Sequence, residues 1–238
     1  MAKLVFDIET TPLPLDQFDS YQQEYLFREA LQIQDEAERQ KRRDEILQLF
    51  SLWPLTAKVI CIAMLNADTS RGQVLFEATE YDEGDDSGPV EFIACMDEIE
   101  LLTAFWDVAK HYEHIITFNG RAFDVPFLYL RSALLKVQIT RKDWLGYRFQ
   151  TEPHCDLVEQ LTFYGISGRE GAARKFNLDF YCKAFGIDSP KRHGVTGLDV
   201  PTLYNSGKRR EIAEYCLRDV QATLLLYQVW KERLAGIK

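Results

Sequence analysis

Residues 3–9 read Lys-Leu-Val-Phe-Asp-Ile-Glu, an apolar run that closes on two carboxylates. Lys3–Phe6 has the nearly continuous apolar character of a strand buried on both faces of a sheet. On a strand, positions i and i+2 point to the same side, so Asp7 and Glu9 leave the end of a central strand together. Like charges brought side by side in a fold repel strongly unless cations sit between them. A chain that opens this way must build a sheet around the strand and a charge environment around the acids.

The rest of the pattern supplies that sheet. Residues 58–65 (KVICIAML) and 73–79 (QVLFEAT) read as a second and third strand, with the polar turn 66–72 making them a hairpin. After an acidic, Gly-containing loop at 81–88, a helix is predicted over 97–112, with Ile99, Leu102, Phe105, Trp106 and Ala109 on one face. Residues 115–118 form a fourth strand ended by Asn119-Gly120. A helix over 124–137 follows, with Asp124 at its cap and Pro126 in its first turn. Residues 138–153 read as irregular, 154–165 and 172–186 as short helical stretches, and 187–200 as a polar basic loop. A last helix spans 209–234. Strands interleaved with helices give an α/β sheet with helices packed on it.

Residues 16–50 depart from this rhythm. They are dense in Gln, Glu and Arg, with apolar positions at Tyr25, Leu26, Ile33, Ile46, Leu47 and Phe50. They read as one or two largely polar helices inserted between the first two strands, and the run 39–43 (RQKRR) as a charged solvated face.

Composition excludes some classes. With 238 residues, 46% hydrophobic, the chain buries one large core, and no run of about 18 apolar residues suggests a membrane span. The N-terminus leads straight into the first strand and does not resemble a signal peptide. Five widely spaced cysteines without a C-x-x-C pair fit reduced thiols in a cytoplasmic protein. The net charge of −9 argues against a nucleic-acid partner until its distribution is read: residues 1–120 carry 9 Lys+Arg against 24 Asp+Glu, residues 121–238 carry 19 against 13. The second half can contribute a basic face.

Two further acidic segments follow the first. Asn119-Gly120-Arg121-Ala122-Phe123-Asp124 runs from a strand through a tight turn into a helix. An N-cap at Asp124 is worth only about 1 kcal/mol and leaves the surrounding Asn-x-x-x-Phe-Asp unexplained. Tyr215 and Asp219 are four apart and share a helix face. Y-x-x-x-D alone is cheap, since Tyr81 and Asp85 match it too. Asp219, however, lies among Val220, Leu224, Leu225 and Tyr227, where a buried acid needs a partner. A haloacid-dehalogenase-type phosphatase also begins with an Asp after an apolar strand. It needs a second Asp and then Gly where this chain has Glu-Thr-Thr at 9–11, and is set aside.

The three segments together resemble the DEDD superfamily of 3′-5′ exonucleases in its Tyr-containing branch. Asp7-x-Glu9 is similar to the first motif, Asn119-x-x-x-Phe123-Asp124 to the second, and Tyr215-x-x-x-Asp219 to the third; the His-containing branch would place His where this chain has Glu214. The nearest likeness is to bacterial stand-alone proteins related to the exonuclease domain of family-B DNA polymerases, over roughly 1–14 and 56–236. The resemblance implies a ribonuclease H-like mixed sheet flanked by helices, as a single domain over 1–238 with a helical insertion at about 16–50.

It also implies two Mg²⁺ or Mn²⁺ ions, which oxygen-only ligands suit and which do not suit zinc. Asp7 would bridge them, Glu9 and Asp219 would serve the ion at the attacking water, and Asp124 the other. Tyr215, with an ordinary pKa near 10, would orient that water rather than act as its base. Thr10 and Asn119 would contact the terminal nucleotide, Phe123 would stack on a base or pack beneath the site, and Lys191, with Arg192 and His193, would close on phosphates. Arg174, Lys175, Lys208, Arg209 and Arg210 could meet the strand's backbone. The substrate expected is single-stranded DNA ahead of RNA, with a catalytically silent nucleic-acid-binding module as the other alternative.

Overall fold

The computed structural model describes residues 2–78, 88–166, 171–188 and 196–237. At its centre is β1 (Lys3–Pro12), which pairs antiparallel with β2 (Ala57–Asn66) on one side. On the other side β1 runs parallel to β5 (His114–Thr117). β3 (Gly72–Glu77) extends the hairpin antiparallel to β2, β4 (Val90–Cys95) lies parallel to β3, and β6 (His154–Asp156) lies parallel to β5. The sheet is therefore mixed, in the order β4-β3-β2-β1-β5-β6.

Period-two alternation along β1 divides the core in two. Leu4, Phe6 and Ile8 pack into one cluster with Leu102, Phe105 and Trp106 of α3 (Glu98–Ala109) and Val125 and Leu128 of α4 (Asp124–Leu134). Val5 faces the opposite cluster, built on Ala213, Cys216, Val220 and Leu224 of α8 (Arg209–Arg233). Asp7 and Glu9 have the parity of Val5, so their side chains leave β1 toward α8. A register shift between Glu9 and Thr10 marks a bulge at the strand's acidic end.

The insertion is a pair of helices, α1 (Ser20–Leu31) and α2 (Glu36–Leu49). A capping box between Asp19 and Gln22 starts the first, and Asp35 caps the second. Their small core is Phe18, Phe27, Ala30, Ile46 and Phe50. Of the apolar positions in the pattern, Tyr25 is exposed, while Phe27 on the other face of α1 is buried. Short helices α5 (Leu157–Leu161), α6 (Leu178–Ala184) and α7 (Val200–Asn205) complete the described fold.

Several expectations need correction. β4 is a strand that the sequence pattern did not announce, lying just before the Asp97 cap of α3. Residues 154–156 are a strand and not the start of a helix; three residues are too few to show any period. Helix 172–186 shrinks to α6, and α7 breaks into the end of the expected loop 187–200. On α3 it is Leu101 that is buried while Ile99 is 48% exposed. Asp124 is the first residue of α4 rather than its cap, a place held by Phe123. Leu225 of the last helix faces solvent. The acidic loop 81–88 falls almost wholly outside the described residues. Among those described, no helix is long and apolar enough to cross a membrane.

Candidate active site

Three elements bring the acidic segments together. β1 delivers Asp7 and Glu9, α4 delivers Asp124 at its first turn, and α8 presents Tyr215 and Asp219 on the face that packs on the sheet. Glu9 is 8% and Asp124 2% exposed. Asp124 Oδ1 accepts the Ile8 N–H at 3.1 Å, which ties the second segment to the first between its two acids.

The electrostatics are those of acids drawn close together. Burial pushes the Asp7 carboxyl well above its ordinary range, and the Asp124, Glu9 and Asp219 carboxylates add to the shift. Glu9 is raised well above its usual value by burial and then by Asp219 and Asp124. Asp124 is pushed up to about 7, again first by burial, with the backbone N–H groups of Asp124 and Ile8 pulling the other way. Among the described residues, the charges that raise Asp7 and Glu9 are those of acids and a thiol. Burial first, then the Asp219 and Glu9 charges, raise the Tyr215 phenol, whose hydroxyl bonds to Asp219. Tyr215 therefore keeps its proton.

Oxygens of Asp7 and Glu9 and the Cys216 sulfur lie within 4.8 Å of one another. The Cys216 thiol donates to the Asp7 carbonyl oxygen at 3.5 Å, and burial holds its pKa well up. A neutral thiol is a poor ligand, so the usable donors are carboxylate oxygens. That set fits hard divalent cations such as Mg²⁺ or Mn²⁺.

A further acid, which the sequence pattern did not single out, organises the second segment. Asp156, at the end of β6 and 2% exposed, accepts the N–H groups of Asn119, Arg121 and Val158, each at 2.9 Å. Those bonds hold the turn in which Asn119 adopts φ +70°, a left-handed conformation that Asn tolerates better than most residues. From below, Thr117 Oγ1 accepts the Gly120 N–H at 3.1 Å and meets His154 Nε2 at 2.7 Å. The Trp144 carbonyl can only accept, so His154 Nδ1, 3.2 Å from it, carries the ring proton. Burial, then the Arg121 charge, lowers the His154 pKa to about 3, so the ring stays neutral. A Cβ at position 120 would sit 2.5 Å from the Thr117 hydroxyl, so this turn needs glycine.

A cleft of about 1450 Å³ is lined by Asp7, Tyr215 and Asp219 together with Asn119, Arg121, Arg148, Arg174 and Lys175. Its lining mixes the acids Asp7, Asp156, Glu159, Asp179 and Asp219 with these four cations. The cations come from the half of the chain in which Lys and Arg outnumber acids.

The chain has counterparts among known proteins. A family described as a predicted 3′-5′ exonuclease related to the exonuclease domain of PolB matches residues 53–235. The chain belongs to this family. DNA polymerase 1 of Saccharolobus solfataricus is 29% identical over 182 residues, covering 71% of this chain and 19% of that protein. DNA polymerase 1 of Sulfurisphaera ohwakuensis is 28% identical over 148 residues, 56% of this chain and 16% of the other. The chain thus spans under a fifth of the length of these relatives. The family B DNA polymerase of the hyperthermophilic archaeon Pyrobaculum calidifontis has the same fold over 97% of this chain and 24% of its own, with a TM-score of 0.58 at 20% identity. The fold is accordingly ribonuclease H-like, and the chain is a PolB-like 3′-5′ exonuclease domain.

Within this exonuclease domain, the structure brings Asp7, Glu9, Asp124, Tyr215 and Asp219 close to one another, and Asp7, Tyr215 and Asp219 line the cleft. Asn119 lines the cleft, and its Oδ1 accepts from Lys175 Nζ at 2.7 Å. Thr10 turns elsewhere: its hydroxyl donates to the Ser51 carbonyl at 2.6 Å, pinning the end of the insertion to β1. Phe123 packs on Phe127, ring centroids 5.4 Å apart, against the α3–α4 core. Arg209 and Arg210 lie over the Tyr204 and Phe92 rings, away from the cleft-lining residues. Lys191, Arg192 and His193 lie outside the described residues. Asp156 carried no sequence signal.

Proposed function

We propose that this domain is a divalent-metal-dependent 3′-5′ exonuclease that trims single-stranded DNA and releases nucleoside 5′-monophosphates. The observation that carries it is the convergence of four carboxylates: Glu9 and Asp124 are buried, Asp7 shares β1 with Glu9, and the Asp219 charge acts on both Asp7 and Glu9. Such a group stays ionised near neutral pH only when cations join it. Asp7, Glu9, Asp124 and Asp219 would hold two Mg²⁺ or Mn²⁺ ions. When bound, these supply charge for the phosphoryl oxygens and the leaving oxygen, and make water a stronger nucleophile.

The chain's own groups do the positioning. Water attacks the terminal phosphodiester in line, the P–O3′ bond breaks, and the shortened strand keeps a 3′-hydroxyl. Tyr215 remains protonated throughout; fixed by its bond to Asp219, it orients the attacking water and is not the base. Asn119, held by Asp156 and bonded to Lys175, meets the terminal nucleotide. A cleft larger than the 300–1,000 Å³ of a drug-sized pocket suits an oligonucleotide end. The relatives named as DNA polymerases favour DNA over RNA.

The test uses 5′-end-labelled single-stranded DNA and RNA of matched sequence, with Mg²⁺, Mn²⁺ or EDTA, and Asp7→Ala as control. Stepwise shortening from the 3′ end with metal, faster on DNA and absent in EDTA and in Asp7→Ala, is expected. No shortening of either strand with either metal makes the domain a silent binding module. Undiminished activity in Asp7→Ala removes the site assignment.

A further inference from the structure

Beyond the acids, the cleft wall carries a second arrangement of charge. Arg121 follows the Asn119-Gly120 turn, and Arg148 comes from the loop between α4 and β6. Both converge on one carboxylate, Glu159 of α5: Arg121 Nε lies 3.1 Å from Oε2 and Arg148 Nε 2.6 Å from Oε1. The Arg121 and Glu159 side chains are each 12% exposed, while that of Arg148 is 54% exposed. The group carries one net positive charge, and all three residues line the cleft that holds Asp7 and Asp219.

The donors are not used up. Arg121 gives one N–H to the Gly146 carbonyl at 3.1 Å, but its Nε is buried without a well-formed hydrogen bond. Arg148 donates from Nε to Glu159, and its terminal nitrogens meet no acceptor among the described residues. Asp156 also lines the cleft, yet its oxygens are taken by three backbone N–H groups, so it offers the arginines little competition. Glu159 thus holds two guanidinium groups in place, which lowers the entropy lost when they bind an anion. Planar guanidinium forks match phosphate oxygens bidentately, a geometry that lysine cannot supply.

We propose that Arg121 and Arg148, held by Glu159, form a phosphate subsite for the single strand on the 5′ side of the scissile bond. The inference rests on the exonuclease reading above for its ligand, and the cleft's size leaves room for more than the terminal nucleotide. The acids take the scissile phosphate, and the arginine pair grips the backbone behind it. Glu159 keeps the pair's net charge low enough for the strand to advance after each cleavage.

The test is binding without hydrolysis. A fluorescein-labelled oligothymidylate is titrated in EDTA, and Kd is followed by anisotropy between 50 and 200 mM NaCl. The Arg121→Gln/Arg148→Gln double variant is expected to bind about tenfold more weakly, with the slope of log Kd against log salt reduced by about 0.7 for each phosphate that is no longer neutralised. Arg148→Gln, at a half-exposed position, should show the share of a single arginine if the double variant does not fold. Arg141→Gln, removing an arginine paired with Asp143 away from the cleft, serves as the surface-charge control. Wild-type affinity and slope in Arg148→Gln, or an equal loss in Arg141→Gln, overturns the subsite. Because no cleavage is read, a domain that binds in this way but never shortens the strand defeats the exonuclease reading and leaves the subsite standing.

Discussion

Two groups of buried acid lie on opposite faces of the same sheet. Glu98, on the α3 side, accepts from Val59 N at 2.8 Å and from Arg131 Nε and NH2 at 2.9 and 2.6 Å. Arg131 in turn donates to the Pro54 carbonyl at 3.1 Å, so each member of the pair has its partners inside the chain. On the α8 side, Asp7, Glu9 and Asp124 have mostly one another, and their carboxyls are pushed upward. The first arrangement fastens β2, α3, α4 and the end of the insertion together. The second stores repulsion that an added cation or proton relieves. A buried acid with internal partners serves the fold, and one without them serves something that binds.

The contrast is sharpest in what neutralisation does. Asp124→Asn removes a proposed metal ligand. A bound cation supplies several kcal/mol of charge stabilisation, so hydrolysis should fall on the order of 10³-fold at 1.36 kcal/mol per decade. In EDTA at pH 8 the same substitution should raise Tm, because a repelling charge is gone. Gel shortening assays and thermal melts check the two halves. A lower metal-free Tm breaks the comparison.

Glu98→Ala should behave in the opposite way. It leaves Arg131 buried with an unpaired charge, which costs about 3–5 kcal/mol. Urea unfolding reads that loss, while turnover per folded molecule should stay within about threefold. A large loss of turnover with little loss of stability would move Glu98 into the site.

The pH dependence gives the third test. Asp124 has an ordinary pKa of 3.8 and one near 7 in the fold, so between those values the folded state binds more protons than the unfolded one. Its contribution to metal-free stability is present below about pH 4 and lost as pH rises through about 7. The Tm advantage of Asp124→Asn over the wild type in EDTA should therefore be small near pH 5 and widen toward pH 8. A constant gap would mean that Asp124 is not protonated in the metal-free fold.

How far the sequence reached depends on the kind of signal each element leaves. β1, the β2–β3 hairpin and α8 have long apolar runs or helical periods, and parity along β1 is enough to send Asp7 and Glu9 the same way. The spacing of Tyr215 and Asp219 likewise survives translation into α8. β4 and β6 leave little trace: one is six residues with a half-buried centre, the other three residues long. Asp156 was invisible for the same reason, since its value lies in three N–H groups that only the fold brings near. Glu159 and its arginines are separated by 11 and 38 positions, and no local pattern links them. Tertiary contact, not propensity, decides such residues.

Asp156 stands between the two kinds of buried acid, lining the cleft yet satisfied by backbone donors. Asp156→Asn keeps an acceptor oxygen but turns an amide toward one of the N–H groups, which should cost about 1–3 kcal/mol. Because that turn carries Asn119, turnover should fall with it, and a pure stability loss would class Asp156 with Glu98.

The smallest effect separates the site from the insertion. Thr10 follows Glu9 directly, but its hydroxyl donates to Ser51 and points at the segment that returns from α2. Thr10→Val keeps the branched shape on the strand and removes only that donor. The Ser51 carbonyl then lacks a partner, and stability should fall by about 1 kcal/mol, the ordinary net worth of one hydrogen bond. If the hydroxyl serves only this bond, KM for the oligonucleotide should change less than threefold while the urea midpoint moves. A KM rise of tenfold or more at unchanged stability would mean that the hydroxyl leaves Ser51 for the substrate. The insertion would then be a gate on the site, not only a brace for β1.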